Sequence, residues 1–166
     1  MTDIEHSLRI YTGGFVLVRK YNGETAYGKL LWVEYDKEKF EFYVVLLFEE
    51  QTICIYESEI ETVIPDYRDQ NSAIINSVRE ALSKNYLLWD NGVITDRVGL
   101  FPVVDLVNIG SAVKVNYCND LSAEDVEFSE VFTTPSVDEI VLSIDQNFKK
   151  YAPKKGLFKF WHKKKR

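Results

Sequence analysis

Phe40-Glu41-Phe42-Tyr43-Val44-Val45-Leu46-Leu47-Phe48 is the stretch that decides the fold. Phe40, Phe42, Val44, Leu46 and Phe48 fall on one side of it, the period of a strand rather than a helix. Glu49-Glu50-Gln51 turns the chain, and Thr52-Ile53-Cys54-Ile55-Tyr56 returns as a second strand. Working back, Asp36-Lys37-Glu38-Lys39 is a polar turn. Before it, Tyr27 to Tyr35 reads as a strand, with Leu31, Val33 and Tyr35 alternating against Trp32 and Glu34. Asn22-Gly23, a strong turn dipeptide, separates that strand from Phe15-Val16-Leu17-Val18, which opens after Gly13-Gly14. Working forward, Ile60 to Ile64 is a fifth candidate, and Pro65-Asp66-Tyr67 closes the unit. Four or five short strands at this spacing predict a curled meander or small barrel.

The layout of residues 13–64 is similar to that of Tudor-like small barrels, a likeness of pattern that implies a fold and no particular activity. Beyond it, residues 70–89 predict a helix. Ile74, Ile75, Val78, Ala81, Leu82 and the Leu88-Trp89 end form its apolar stripe, Asp69 or Asn71 its cap, and Asp90-Asn91-Gly92 its stop. Two strands follow, Phe101 to Val107 with Pro102 at its entry, and Ala112 to Cys118. Val126 to Thr133 reads as a third, with a short helix from Ser122 as the competing reading. Ser136 and Glu139 then form a capping box before a helix whose apolar face is Val137, Ile140, Val141, Ile144, Phe148 and Tyr151. The expected fold is therefore α+β: an N-terminal β-rich meander or small barrel (1–66), an α+β part with a central helix, antiparallel strands and a C-terminal amphipathic helix (67–152), and a basic aromatic tail (153–166).

A chain of 166 residues fits one domain, or one domain and a small subdomain. No apolar run reaches the ~18 residues a membrane span requires. Met1-Thr2-Asp3-Ile4-Glu5 lacks the layout of a secretory signal, so a cytoplasmic location is expected. Cys54 and Cys118 each fall in a strand, and both are expected to be buried free thiols.

Catalytic chemistry finds little to build on. His6 and His162 lie one near each terminus, poorly placed for a base that needs firm positioning. Gly13-Gly14 lacks the spacing of a phosphate loop, no Cys/His spacing suits zinc, and Asp90-Asn91-Gly92 lacks the further ligands of a calcium loop. No enzyme activity, cofactor or metal is expected.

Charge is the informative feature. The chain has 20 basic and 26 acidic residues; nine of the basic ones and no acid fall in 149–166, so residues 1–148 carry a net of −15 and the end +9. Glu57, Glu59 and Glu61, and again Glu124, Asp125 and Glu127, alternate with apolar residues and read either as solvated strand faces or as acidic surface for a basic partner. The tail residues Phe158, Phe160, Trp161, Lys163, Lys164, Lys165 and Arg166 admit three readings. They bind nucleic acid by phosphate contact and stacking, sit on an anionic membrane, or pack back on the acidic body. A body of −15 repels nucleic acid, which weighs against the first.

A small acidic chain of this character resembles the immunity proteins of bacterial toxin–immunity systems, including contact-dependent growth inhibition. The resemblance implies a non-catalytic cytoplasmic inhibitor that caps a toxin, often a basic nuclease, by stoichiometric binding. An acidic surface occupies a cationic cleft and speeds association, and Trp32, Tyr35, Tyr56 and Trp89 can anchor such a contact where they are not core. The alternative is an adaptor that reaches a membrane or nucleic acid through the tail.

Overall fold

The computed structural model describes residues 2–66, 68–98 and 101–152. Among the described residues there are three α-helices and ten strands, the strands forming two antiparallel sheets of five each, an α+β fold. The first sheet contains β1 (Phe15–Lys20), β2 (Thr25–Asp36), β3 (Glu41–Phe48), β4 (Gln51–Tyr56) and β5 (Ile60–Pro65) in the order β4-β3-β2-β1-β5. It is the expected meander, with β5 folded back beside β1, and it is not closed into a barrel. Only the 3-10 turn Glu57–Glu59 separates β4 from β5, so a three-residue link joins the two edges of the sheet. The sheet must curl strongly to allow that.

Two side-chain placements in this sheet differ from the alternation expected. A β-bulge between Leu30 and Trp32 shifts the register, so Leu30 and not Leu31 points inward with Val33, while Tyr35, paired with Phe42 beyond Val33, is exposed near the strand end. Phe40 sits in the preceding turn at φ 57 and is 80% exposed, while Phe48 at the other end is also exposed. Val16, Val18, Leu30, Val33, Val44, Leu46, Ile55 and Ile60 make the core of this half. Leu8 caps it from α1 (Asp3–Ile10), an element not expected from the pattern. Its signals are local: the Thr2 side chain accepts from the Glu5 amide at 3.1 Å, acids fill the first turn and Arg9 the last.

The second sheet has the order β10-β9-β8-β7-β6, with β6 (Leu87–Leu88), β7 (Ile94–Thr95), β8 (Val103–Asn108), β9 (Val113–Cys118) and β10 (Val126–Phe132). Helices α2 (Gln70–Leu82) and α3 (Val137–Tyr151) contribute Ile75, Val78, Leu82, Ile140, Ile144 and Phe148 to one core with Val104, Leu106, Val113, Val115 and Tyr117. Helix α2 is shorter than expected. A polar turn at 83–86 ends it, and Leu88 reaches the core from β6 instead, so Asp90-Asn91-Gly92 is a hairpin turn rather than a helix stop. Asp69 is its cap, accepting from Asn71 N at 2.9 Å. Residues 126–132 are strand, which sets aside the short helix from Ser122. Ser136 is the N-cap of α3, but its side chain makes no capping bond, so the expected capping box does not form.

Of the two cysteines, Cys118 is buried and Cys54 is exposed, because Cys54 lies on the edge strand β4 and, unlike its neighbour Ile55, is turned away from the core. Both are free thiols, and burial pushes the Cys118 thiol up to about 11.

Candidate functional site

Glu57, Glu59 and Glu61 do not share a strand face. Glu57 and Glu59 belong to the 3-10 turn, and only Glu61 lies on β5. Glu57 accepts a hydrogen bond from the Thr2 hydroxyl, which ties the turn to the start of α1. Glu59 accepts from Tyr56 N at 3.0 Å and lies 3.9 Å from Lys20 Nζ. Glu61 is exposed and makes no side-chain hydrogen bond or ion pair among the described residues.

The turn does bring Glu57 to two acids that the sequence pattern did not single out. Asp3 of α1 and Glu41 of β3 line the same shallow depression, with Tyr21, 69% exposed, on its wall. Glu41 Oε1 is held by Ser58, whose N and Oγ donate at 3.2 and 2.8 Å. Behind the depression Glu5 is buried. Desolvation raises its pKa, Arg9 pulls it back, and the negative charge of Glu57 raises it further. The depression is thus strongly electronegative, with a half-free tyrosine beside it.

Glu124 and Asp125 are exposed in the connection from β9 to β10, and Glu127 is exposed at the start of β10, in the other sheet. Asn119 braces this connection: its N donates to the Asp125 carbonyl at 2.9 Å and its Nδ2 to Glu127 at 3.0 Å. Phe158, Phe160, Trp161, Lys163, Lys164, Lys165 and Arg166 lie outside the described residues. Trp32 and Tyr35 are exposed, whereas Tyr56 and Trp89 are half-buried. Tyr56 donates to Asp36 at 2.7 Å and Trp89 Nε1 to Thr95 Oγ1 at 2.7 Å, so both serve the fold.

A cavity of about 380 Å³ opens where the two sheets meet. Its wall on one side is Leu31 and Trp32 of β2, and on the other Asn76 and Arg79 of α2 with Asp105 of β8. Strand β7 pairs with β8 at Ile94↔Val104 alone, so the edge of β8 away from β9 has no strand beside it from Asp105 onward among the described residues, and it faces this space. Arg79 is only 2% exposed. Its Nη1 donates to the carbonyls of Ile10 (3.0 Å) and Thr12, closing the end of α1. Nη2 packs beside Gly92, where a Cβ would come within 2.9 Å of it; the glycine also sits at φ +83. Burial lowers the Arg79 pKa to about 10, with the Asp105 charge acting against that shift. Asp105 in turn is raised by desolvation and lowered by Arg79.

Among the described residues no three His, Cys, Asp or Glu side chains gather as a metal site requires, and no helix is long and apolar enough to cross a membrane. The chain matches no family model, and neither a curated protein nor a solved structure is significantly similar to it.

Proposed function

We propose that the protein is a non-catalytic, cytoplasmic inhibitor of the immunity type, which neutralises a basic toxin, a nuclease for choice, by stoichiometric binding through an acidic surface. The observation that carries this reading is the depression formed by Asp3, Glu41 and Glu57 with the exposed Tyr21. Three carboxylates around one hollow attract the lysines and arginines with which a nuclease holds phosphate, and a tyrosine at the wall supplies an amphipathic anchor. The surrounding body supports it. It carries 26 acids, and among the described residues ion pairs engage only Glu24, Glu59, Asp66, Asp90 and Asp145. The remaining field steers a cationic partner over roughly a Debye length, about 8 Å at physiological salt.

The test is capture from native lysate on three baits: the intact chain, the charge-reversed Glu57→Lys/Glu59→Lys/Glu61→Lys variant, and a chain lacking residues 157–166. The expected result is a basic protein retained by the intact and truncated baits, lost from the reversed one, and inhibited at one-to-one stoichiometry. Its association rate falls steeply as salt rises. If removal of 157–166 alone abolishes every partner, the tail adaptor replaces the inhibitor.

A further inference from the structure

The cavity between the sheets gathers three polar side chains, Asn76, Arg79 and Asp105, whose hydrogen-bonding groups the fold leaves wholly or partly unused among the described residues. Asn76 is 8% exposed, and its amide makes no side-chain hydrogen bond among the described residues. Arg79 is still more deeply buried; among the described residues Nε has no partner and Nη2 makes no hydrogen bond. Asp105, half-buried opposite them, accepts no hydrogen bond at its carboxylate among the described residues and forms no ion pair with Arg79, although each charge shifts the other's proton affinity. Buried polar groups are almost always satisfied, and each one left bare costs about 1–3 kcal/mol. Here that cost falls on Arg79 Nε, which is fully enclosed, while the Asn76 amide and the Asp105 carboxylate stand unbonded and open to the same cavity, an arrangement that folding alone gives no reason to keep.

We infer that this cavity is a binding site for a small, uncharged, planar molecule with an amide edge, an N–H beside a C=O, as in guanine or a carboxamide. The chemistry follows from the three groups. Asp105 is an acceptor only and takes the ligand N–H; Arg79 is a donor only and serves the ligand C=O; Asn76 supplies one of each. Of the three charges that line the cavity, Lys29 is exposed and stays hydrated, while Arg79 and Asp105 are the enclosed ones, one of each sign, so a neutral ligand leaves neither enclosed charge uncompensated. An anion satisfies Arg79 but meets Asp105, and a cation does the reverse. A volume of about 380 Å³ suits a ring system of one or two rings, at the small end of ligand cavities. Trp32, 41% exposed at the mouth, offers an indole face for stacking. This inference is independent of the acidic depression, which lies beside the start of α1, whereas the cavity adjoins its end.

The experiment is a titration of the intact protein, followed by its amide and indole NMR resonances, with guanosine, nicotinamide and inorganic phosphate as separate probes at millimolar concentration. Saturable shifts at the Asn76 side-chain amide, the Trp32 indole and the backbone of 105–108 with guanosine or nicotinamide, and none with phosphate, are expected. Asp105→Asn keeps the shape, turns an acceptor-only group into one that also donates, and weakens binding at least ~10-fold, as expected where a site group is left mispaired. Asn76→Leu, which replaces the amide donor and acceptor with an apolar group of similar shape, abolishes it. Unmoved cavity resonances with both amide probes overturn the inference. So do phosphate shifts at the same residues, which make this an anion site, and binding that survives both substitutions. If the variants prove unfolded, the wild-type titration still decides the matter by itself.

Discussion

The two sheets cover their apolar faces by different means. The first buries Val16, Val18, Leu30, Val44 and Leu46 mainly by curling on itself and borrows little from helices beyond Leu8 of α1. Much of its outer face stays in solvent, and Phe15, Trp32, Phe48 and Ile64 remain exposed. The second sheet lies under α2 and α3, whose side chains interlock with it. Its polar contacts are also internal. Glu130 of β10 accepts from Tyr117 (2.7 Å), Ser143 (2.8 Å) and Asn147 (3.0 Å), and so pins α3 to the strands. Burial first, and the Glu130 carboxylate second, push the Tyr117 hydroxyl well above the ordinary tyrosine range. The difference suggests a division of labour: the second half is a helix-braced core, and the first presents aromatic and acidic surface.

The largest effect that tests this contrast comes from two phenylalanines. Phe148 is 2% exposed and stacks on Tyr86 at 4.3 Å, so Phe148→Ala removes a core side chain and leaves a cavity, at a cost of about 3–5 kcal/mol. Phe15 is 44% exposed and stacks on Tyr27 at 5.7 Å, so Phe15→Ala forfeits little beyond an aromatic pair, about 1 kcal/mol. Urea unfolding midpoints measure both. Equal losses break the comparison and make the outer face of the first sheet structural.

The intermediate effect lies at the seam between the halves. The pKa of Asp105 is raised in the fold by desolvation, with Arg79 partly offsetting it. A carboxyl raised in this way favours the folded state while protonated and opposes it once ionised. Its contribution is thus present below the unfolded pKa and is lost as pH rises through the folded value. Asp105→Asn, which mimics the protonated form, is therefore expected to raise the unfolding midpoint at neutral pH and to lose that advantage as the pH falls into the carboxyl range. A gain in stability together with weaker binding of an amide ligand marks Asp105 as kept for binding rather than for the fold. A lower midpoint for the variant at neutral pH contradicts the expected direction and makes the Asp105 charge a net support of the fold.

Much of this architecture was legible in the amino-acid order, and the failures share a physical cause. Strands β1 to β5 and β8 to β10 follow from alternation and turn dipeptides, which are local signals. The bulge at Leu30–Trp32 is not local: the neighbouring strand decides it, and one extra residue inverts every later side chain. Leu88 fits a helical stripe by spacing, yet reaches the same core from a two-residue strand, because burial alone does not distinguish the two routes. Helix α1 is short and its apolar face is sparse, so only its Thr2 cap and terminal charges announce it. The acids Glu57, Glu59 and Glu61 were visible as charge, but the recruitment of Asp3 and Glu41 beside Glu57 depends on tertiary contact. The cavity was hidden for the same reason: Asn76 and Arg79 read as the polar side of α2, and only the approach of β2 and β8 encloses them.

The smallest effect concerns the starts of the two helices that cover the second sheet. Asp69 begins α2 and accepts from Asn71 N at 2.9 Å; it also takes a hydrogen bond from Asn108, which joins the cap to the end of β8. Ser136 begins α3 in the same extended backbone conformation, φ −125 and ψ 137, but its hydroxyl makes no capping bond. What holds the start of α3 is the backbone, with Ile140 N donating to the Ser136 carbonyl at 3.1 Å, and the burial of Ile140. A cap that makes its bond is worth about 1 kcal/mol, so Asp69→Ala is expected to cost that much. Ser136→Ala removes a hydroxyl that bonds nothing in the helix and should stay within about 0.5 kcal/mol, the range of surface substitutions. Urea midpoints of the two variants, measured side by side, decide between them. A Ser136 loss equal to that of Asp69 restores the capping box that the sequence pattern predicts and shows that the hydroxyl bonds the first turn in solution.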